Sequence, residues 1–167
     1  IGHGQTISQP YIVALMTHMI RPQSGHRVLE VGTCSGYQTA VLSLLCGQVF
    51  SVDVIPELVR AAGDRLAVLG YDNVATCAAN GYLGWPEHAP YDGIMVTAAA
   101  THIPPALIEQ LRPGGTMAIP VGQPGMAQQL MRVDKDARGQ ADVNKVLDVA
   151  FVPLVDRSPH GTDLDPS

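Results

Sequence analysis

The stretch Val28-Leu29-Glu30-Val31-Gly32-Thr33-Cys34-Ser35-Gly36-Tyr37 constrains this chain more than any other. An apolar, β-branched run ends in a loop of small residues, and the loop opens a helix. Its glycines carry no Cβ, so a bulky ligand can approach the backbone, and the N–H groups at the helix start bear partial positive charge. Such a turn suits a nucleotide-like or carboxylate-bearing ligand. Three templates fit poorly. The dinucleotide fingerprint G-x-G-x-x-G wants glycine where Cys34 and Thr39 stand, a phosphate loop would need Gly-Lys-Ser/Thr, and the hydrolase elbow G-x-S-x-G does not match Gly-Thr-Cys-Ser-Gly. What remains is a glycine-rich loop followed, 17 residues past Gly36, by Asp53 at the end of the next apolar run. An acid there is placed to accept hydrogen bonds from ribose hydroxyls.

Apolar β-branched runs alternate with helix-period segments along the chain, which predicts an α/β sheet of parallel strands. Strands are expected at 27–31, 48–54, 74–78, 93–97 and 116–121. A helix over 57–69 would bury Leu58, Ala62, Leu66 and Leu69, with Pro56 in its first turn and Gly70 as its stop. Ile12, Val13, Met16, Met19 and Ile20 show similar spacing after Pro10. Pro104-Pro105 starts another helix, which ends before the turn Arg112-Pro113-Gly114-Gly115. Residues 129–133 and 146–152 flank a polar stretch and predict an antiparallel hairpin at the sheet edge. Residues 1–155 then make one domain and 156–167 a polar, mobile tail.

A chain of 167 residues with 46% hydrophobic content can bury a full core, and its longest apolar runs fall far short of a membrane span of roughly 20 residues. The net charge of -5, with ten scattered Lys and Arg, argues against a nucleic-acid partner. Cys34, Cys46 and Cys77 form no CxxC pair and no zinc-spaced set with the histidines, so no metal is expected and a reducing cytoplasm is the natural setting.

The segments Ile1-Gly2-His3-Gly4-Gln5-Thr6-Ile7-Ser8-Gln9-Pro10-Tyr11, Leu29 to Gln38, Gly81-Tyr82-Leu83-Gly84-Trp85-Pro86, Val96-Thr97-Ala98-Ala99-Ala100, Pro120-Val121-Gly122 and Phe151-Val152-Pro153-Leu154 occur in that order. Together they resemble protein-L-isoaspartate O-methyltransferases over residues 1 to about 155. The resemblance implies a Rossmann-like, doubly wound, mostly parallel sheet with a C-terminal antiparallel hairpin. It also implies S-adenosyl-L-methionine as cofactor and isoaspartyl proteins and peptides as partners, for a monomer. By the same resemblance Gly2, Glu30, Gly32, Thr33, Ser35, Gly36, Asp53, Asn80 and Gly81 bind the cofactor. Ser8 is the catalytic residue that orients the substrate carboxylate, with Thr6 and Thr97 beside it. An isoaspartyl carboxylate is already ionised at neutral pH, so positioning and not a general base should dominate. Read without the resemblance, Ser8 is also a turn or cap serine ahead of Pro10, and Glu30 a strand-end carboxylate bonding loop N–H groups.

The sequence departs from the family at three places. Cys34 replaces a usual glycine and is expected either to crowd the cofactor or to add a soft contact; Asn80 replaces a usual aspartate; and the helical segment that normally precedes the Ile1-Gly2 pair is expected to be absent. Weakened cofactor affinity and a loose Ile1–Ser8 segment are the expectations. Two alternatives share the cofactor residues: a biosynthetic aspartyl-peptide methyltransferase, and a degenerate, non-catalytic S-adenosylmethionine-binding protein.

Overall fold

Strands β1 (Arg27–Val31), β2 (Gln48–Asp53), β3 (Val74–Ala78), β4 (Tyr91–Val96) and β5 (Leu111–Val121) run parallel, β6 (Gln128–Lys135) pairs antiparallel with β5, and β7 (Ala141–Val149) pairs antiparallel with β6. The computed structural model describes residues 9–157. The strand order is β3-β2-β1-β4-β5-β6-β7. The chain thus winds outward from β1 to β3, then crosses back to lay β4 on the other side of β1. At that reversal the connections leave β1 and β4 in opposite directions and open a crevice beyond the strands' carboxyl ends.

β1 and β4 lie in the middle of the sheet with both faces covered, which is why they read as near-continuous apolar runs. Alternation along them feeds two cores. Leu29, Val31, Phe50, Val52, Ile94, Val96, Met117 and Ile119 face one side. Val28, Val49, Met95, Ala118 and Leu130 face the other, against Met16, Met19 and Ile20 of α1 (Pro10–Ile20) and Leu42 of α2 (Tyr37–Ser43). Prolines at the first helical positions start α1, α3 (Pro56–Val68) and α4 (Pro105–Gln110), where a missing N–H costs nothing. Leu58, Val59, Ala62 and Leu66 form the buried face of α3.

β1 and β3 have the predicted bounds; the C-terminal half does not. β5 begins at Leu111, not 116, because Leu111 pairs with Tyr91 ahead of a register shift that bulges the expected turn out of the strand. The hairpin is longer and its loop shorter than predicted. β7 pairs from Ala141 onward, and the turn reduces to Asp136–Gln140, where Asp136 Oδ1 accepts the N–H groups of Arg138 and Gln140. Polar residues sit in β7 without penalty because this edge strand is exposed along most of its length.

Candidate functional site

The segment after β1 doubles back over the ends of β1 and β2. Gly32 and Thr33 N–H groups both donate to Val52 O, at 2.7 and 3.3 Å, and Cys34 N–H donates to Asp53 Oδ2 at 3.0 Å. Gly36 N–H returns to Thr33 O at 2.8 Å, and burial and the Ser35 backbone N–H act in opposite senses on the Cys34 thiol, with burial winning and pushing it up. The loop's N–H groups are therefore spent mainly on the protein, unlike the open donors expected from sequence. Its contribution to a ligand is shape. Two glycines allow that shape for different reasons. Gly32 has φ of 105°, and a Cβ there would collide with Thr97 Oγ1. Gly36 has φ of 80° and lets Ala62 and Leu66 of α3 pack beneath the loop.

Beyond the loop lies a cleft of about 270 Å³ at the reversal between β1 and β4. Gly32, Thr33, Ser35, Asp53, Gly81 and Thr97, all predicted from sequence, line it. Asp53 fixes the chain on both sides of itself, accepting Cys34 N–H on one oxygen and Ile55 N–H at 3.0 Å on the other. A carboxylate has about four lone-pair sites, so both oxygens retain acceptor capacity toward the cleft. Gly81 lets two cleft walls close on it: a Cβ there would run into Val31 and Leu154.

Four predicted residues sit differently. Gly36 lies under the loop and does not line the cleft. Glu30 points to the α2 side of β1 and is wholly buried, so it does not reach the cleft. Its Oε2 accepts Thr39 Oγ1–H at 2.5 Å and Ser51 Oγ–H at 2.6 Å, and Oε1 has no partner among the described residues. With Ser51 donating to Glu30, Thr33 Oγ1 donates to Ser51 at 2.7 Å, so the acid acts on the loop through two hydroxyls. Burial raises its pKa to about 7 against the hydrogen bonds that lower it. Thr97 faces the cleft, but its hydroxyl hydrogen is shared between Gly32 O at 2.8 Å and Val31 O at 3.1 Å, so it holds the loop and has no hydrogen left for a carboxylate. Asn80 lies outside the lining. Its Oδ1 accepts Tyr82 N–H at 3.0 Å and its Nδ2 donates to Asp156 Oδ1 at 2.7 Å.

The wall that sequence reasoning missed is the C-terminal return. After β7 the chain pairs Pro153 with Ala99 in a parallel bridge, through Ala99 N–H to Val152 O and Leu154 N–H to Ala99 O, both at 2.8 Å. Val152, Leu154, Val155 and Arg157 thereby line the cleft, opposite Ile12, Val13 and Met16 of α1. The Phe151-Val152-Pro153-Leu154 run was the available signal.

Residues 1–159 match the family model described as protein-L-isoaspartate(D-aspartate) O-methyltransferase. The chain belongs to the protein-L-isoaspartate O-methyltransferase family. It is 59% identical over 154 residues to protein-L-isoaspartate O-methyltransferase 2 of Polaromonas sp. (strain JS666), covering 92% of this chain and 73% of that protein. The corresponding protein of Syntrophobacter fumaroxidans is 57% identical over 154 residues, covering 92% and 62%. A solved protein-L-isoaspartate O-methyltransferase superposes with a TM-score of 0.84 at 29% identity, over 92% of this chain and 50% of that one. A Plasmodium falciparum protein of the same description, in complex with S-adenosyl-L-homocysteine, gives 0.78 at 26% identity, over 93% and 78%. The chain thus spans less than two thirds of several proteins that it matches. Gly2, Thr6 and Ser8, where resemblance to protein-L-isoaspartate O-methyltransferases implies cofactor and substrate contacts, lie outside the described residues, as does the tail from 158 onward. Among the described residues no three His, Cys, Asp or Glu side chains gather to hold a metal, and no helix is long and apolar enough to cross a membrane.

Proposed function

We propose that this chain transfers a methyl group from S-adenosyl-L-methionine to the free carboxylate of L-isoaspartyl residues in damaged proteins and peptides. The observation that carries the proposal is the pairing of the Gly32–Gly36 loop after β1 with Asp53 at the end of the neighbouring β2, beside the reversal of the sheet, in a chain of this family. The residues present fit the cofactor. Asp53 offers open acceptor positions to ribose hydroxyls, Gly81 lines the cleft and lets Val31 and Leu154 pack close beside it, and the loop admits a bulky chain beside Thr33 and Ser35. Bound there, the cofactor supplies a methyl group activated on a sulfonium.

The chain's own residues have a limited task, because the nucleophile is already ionised. Ser8 orients the carboxylate, and Thr6 assists it. Val31, Val52, Val152 and Leu154 give the cleft apolar walls that limit the water around a bound cofactor. Thr97 keeps Gly32 in place instead of contacting substrate. The names of the curated relatives give no support to an aspartyl-peptide or a non-catalytic reading. The protein works as a monomer in a reducing cytoplasm, a setting that suits three cysteines outside any disulfide.

Transfer of labelled methyl from S-adenosyl-L-methionine to an isoaspartyl peptide and its aspartyl isomer tests the reading. Base-labile methyl ester on the isoaspartyl peptide alone is expected, and Ser8→Ala should lower kcat/KM by about 10- to 100-fold, a plausible cost for losing a positioning contact. Equal labelling of both peptides, or none, refutes it.

A further inference from the structure

Three ties of unequal strength hold the C-terminal return across the cleft. The first is at its root, where the Gln128 side-chain amide grips Phe151 at both backbone groups: Nε2 donates to Phe151 O at 2.9 Å and Oε1 accepts Phe151 N–H at 2.6 Å. The second is the bridge to Ala99, which turns Val152 and Leu154 onto the cleft. The third is Asn80 Nδ2 to Asp156 Oδ1, 2.7 Å long and exposed to solvent. Only an amide can occupy position 80 in this arrangement. Its oxygen takes Tyr82 N–H, which sets the amide so that its nitrogen faces Asp156. A carboxylate could accept from Tyr82 but would meet Asp156 with like charge.

We propose that Phe151–Arg157 are a strap over the cofactor cleft, held at its root by Gln128 and Ala99 and latched at its far end by Asn80 and Asp156, and that this latch is the contribution of Asn80 to the site. The inference rests on the cleft being the cofactor site. Val155 and Arg157 line the cleft next to the exposed tie, so a ligand passing under them must displace the end that is held least firmly. Asn80 is a positioning residue here, acting through Asp156 and not by touching adenine.

Charge exchange across the pair tests this. Asn80→Asp and Asp156→Ala each break the latch; Asp156→Asn keeps an acceptor; and Asn80→Asp with Asp156→Asn rebuilds the bond with donor and acceptor exchanged. In the ligand-free protein the Leu154 amide, bonded to Ala99, should exchange with solvent about three- to tenfold faster in the first two variants, as expected for loss of one exposed charge-assisted hydrogen bond, and return to the parental rate in the double variant. S-adenosyl-L-homocysteine should leave faster by a similar factor and be restored likewise. A double variant no better than Asn80→Asp, or an Asp156→Ala variant with parental exchange and dissociation rates, overturns the latch. Failure of the parental protein to bind S-adenosyl-L-homocysteine would instead overturn the cofactor reading, while amide exchange still decides the latch.

Discussion

Cys34 adopts φ of 51°, a left-handed angle that costs an ordinary side chain about 1 kcal/mol. Cys34→Gly removes that strain but frees the unfolded chain, so urea unfolding should find a net change within about 1 kcal/mol. Gly32→Ala offers no such cancellation: φ of 105° and the collision with Thr97 Oγ1 act together. It should lose about 2 kcal/mol or more and most of its affinity for S-adenosyl-L-homocysteine in calorimetry. Glu30 gives a pH signature. Its folded pKa of about 7 stands above the 4.5 of the unfolded chain, so between those values the folded state binds more protons and stability falls as pH rises. The fall should total about 3 kcal/mol and level off above pH 7, whereas Glu30→Gln should show no such slope in unfolding at pH 5 and pH 7.5. The positions of Gly32 and Asp53 at the cleft were legible because both sit at a strand end. Glu30 was not placed because its partners, Thr39 and Ser51, come from a helix and a neighbouring strand. The bond from Asn80 to Asp156 was hidden for the same reason, since the two lie 76 residues apart.

Among the elements, those wound by local rules were the readable ones. β1, β2, β3 and α3 are bounded by glycine, proline and alternation that the sequence displays, so their limits fall within a residue of expectation. β5 to β7 depend on pairing with distant strands: Leu111 joins the sheet only because Tyr91 is beside it, and β7 tolerates polar residues only because it is the edge. α4 shows how far such long-range help can go. This six-residue helix has no side-chain cap at its start and closes its end with the Leu111 N–H, and Lys135 of β6 reinforces that end by donating Nζ to Ile108 O and Leu111 O, both at 2.7 Å. A cation at a helix C-terminus satisfies carbonyls that the helix leaves open. Lys135→Met should cost about 1–2 kcal/mol in urea unfolding. Its affinity for S-adenosyl-L-homocysteine should stay at the parental value, because α4 contributes nothing to the cleft.

Across the whole molecule, the cleft draws its walls from α1, the strand ends and the C-terminal strap, so a ligand there ties together segments from residue 12 to residue 157. S-adenosyl-L-homocysteine at about 100 times its Kd should add about 2.7 kcal/mol. That corresponds to a rise of about 5–10 °C in Tm for a chain of this size, measurable by scanning calorimetry. The strap's latch has a further consequence, one measured in the age of the molecule. Asn80 is followed by Gly81, and an asparagine before glycine loses ammonia when the next backbone nitrogen closes onto its side chain; water then opens the imide to aspartate or isoaspartate. The two hydrogen bonds that make Asn80 a latch also pin its side chain against that closure. Peptide mapping after prolonged incubation should therefore find faster ammonia loss at Asn80 in the Asp156→Ala variant than in the parent. A protein of a family named for isoaspartate thus guards, with its own clasp, a site where isoaspartate would form.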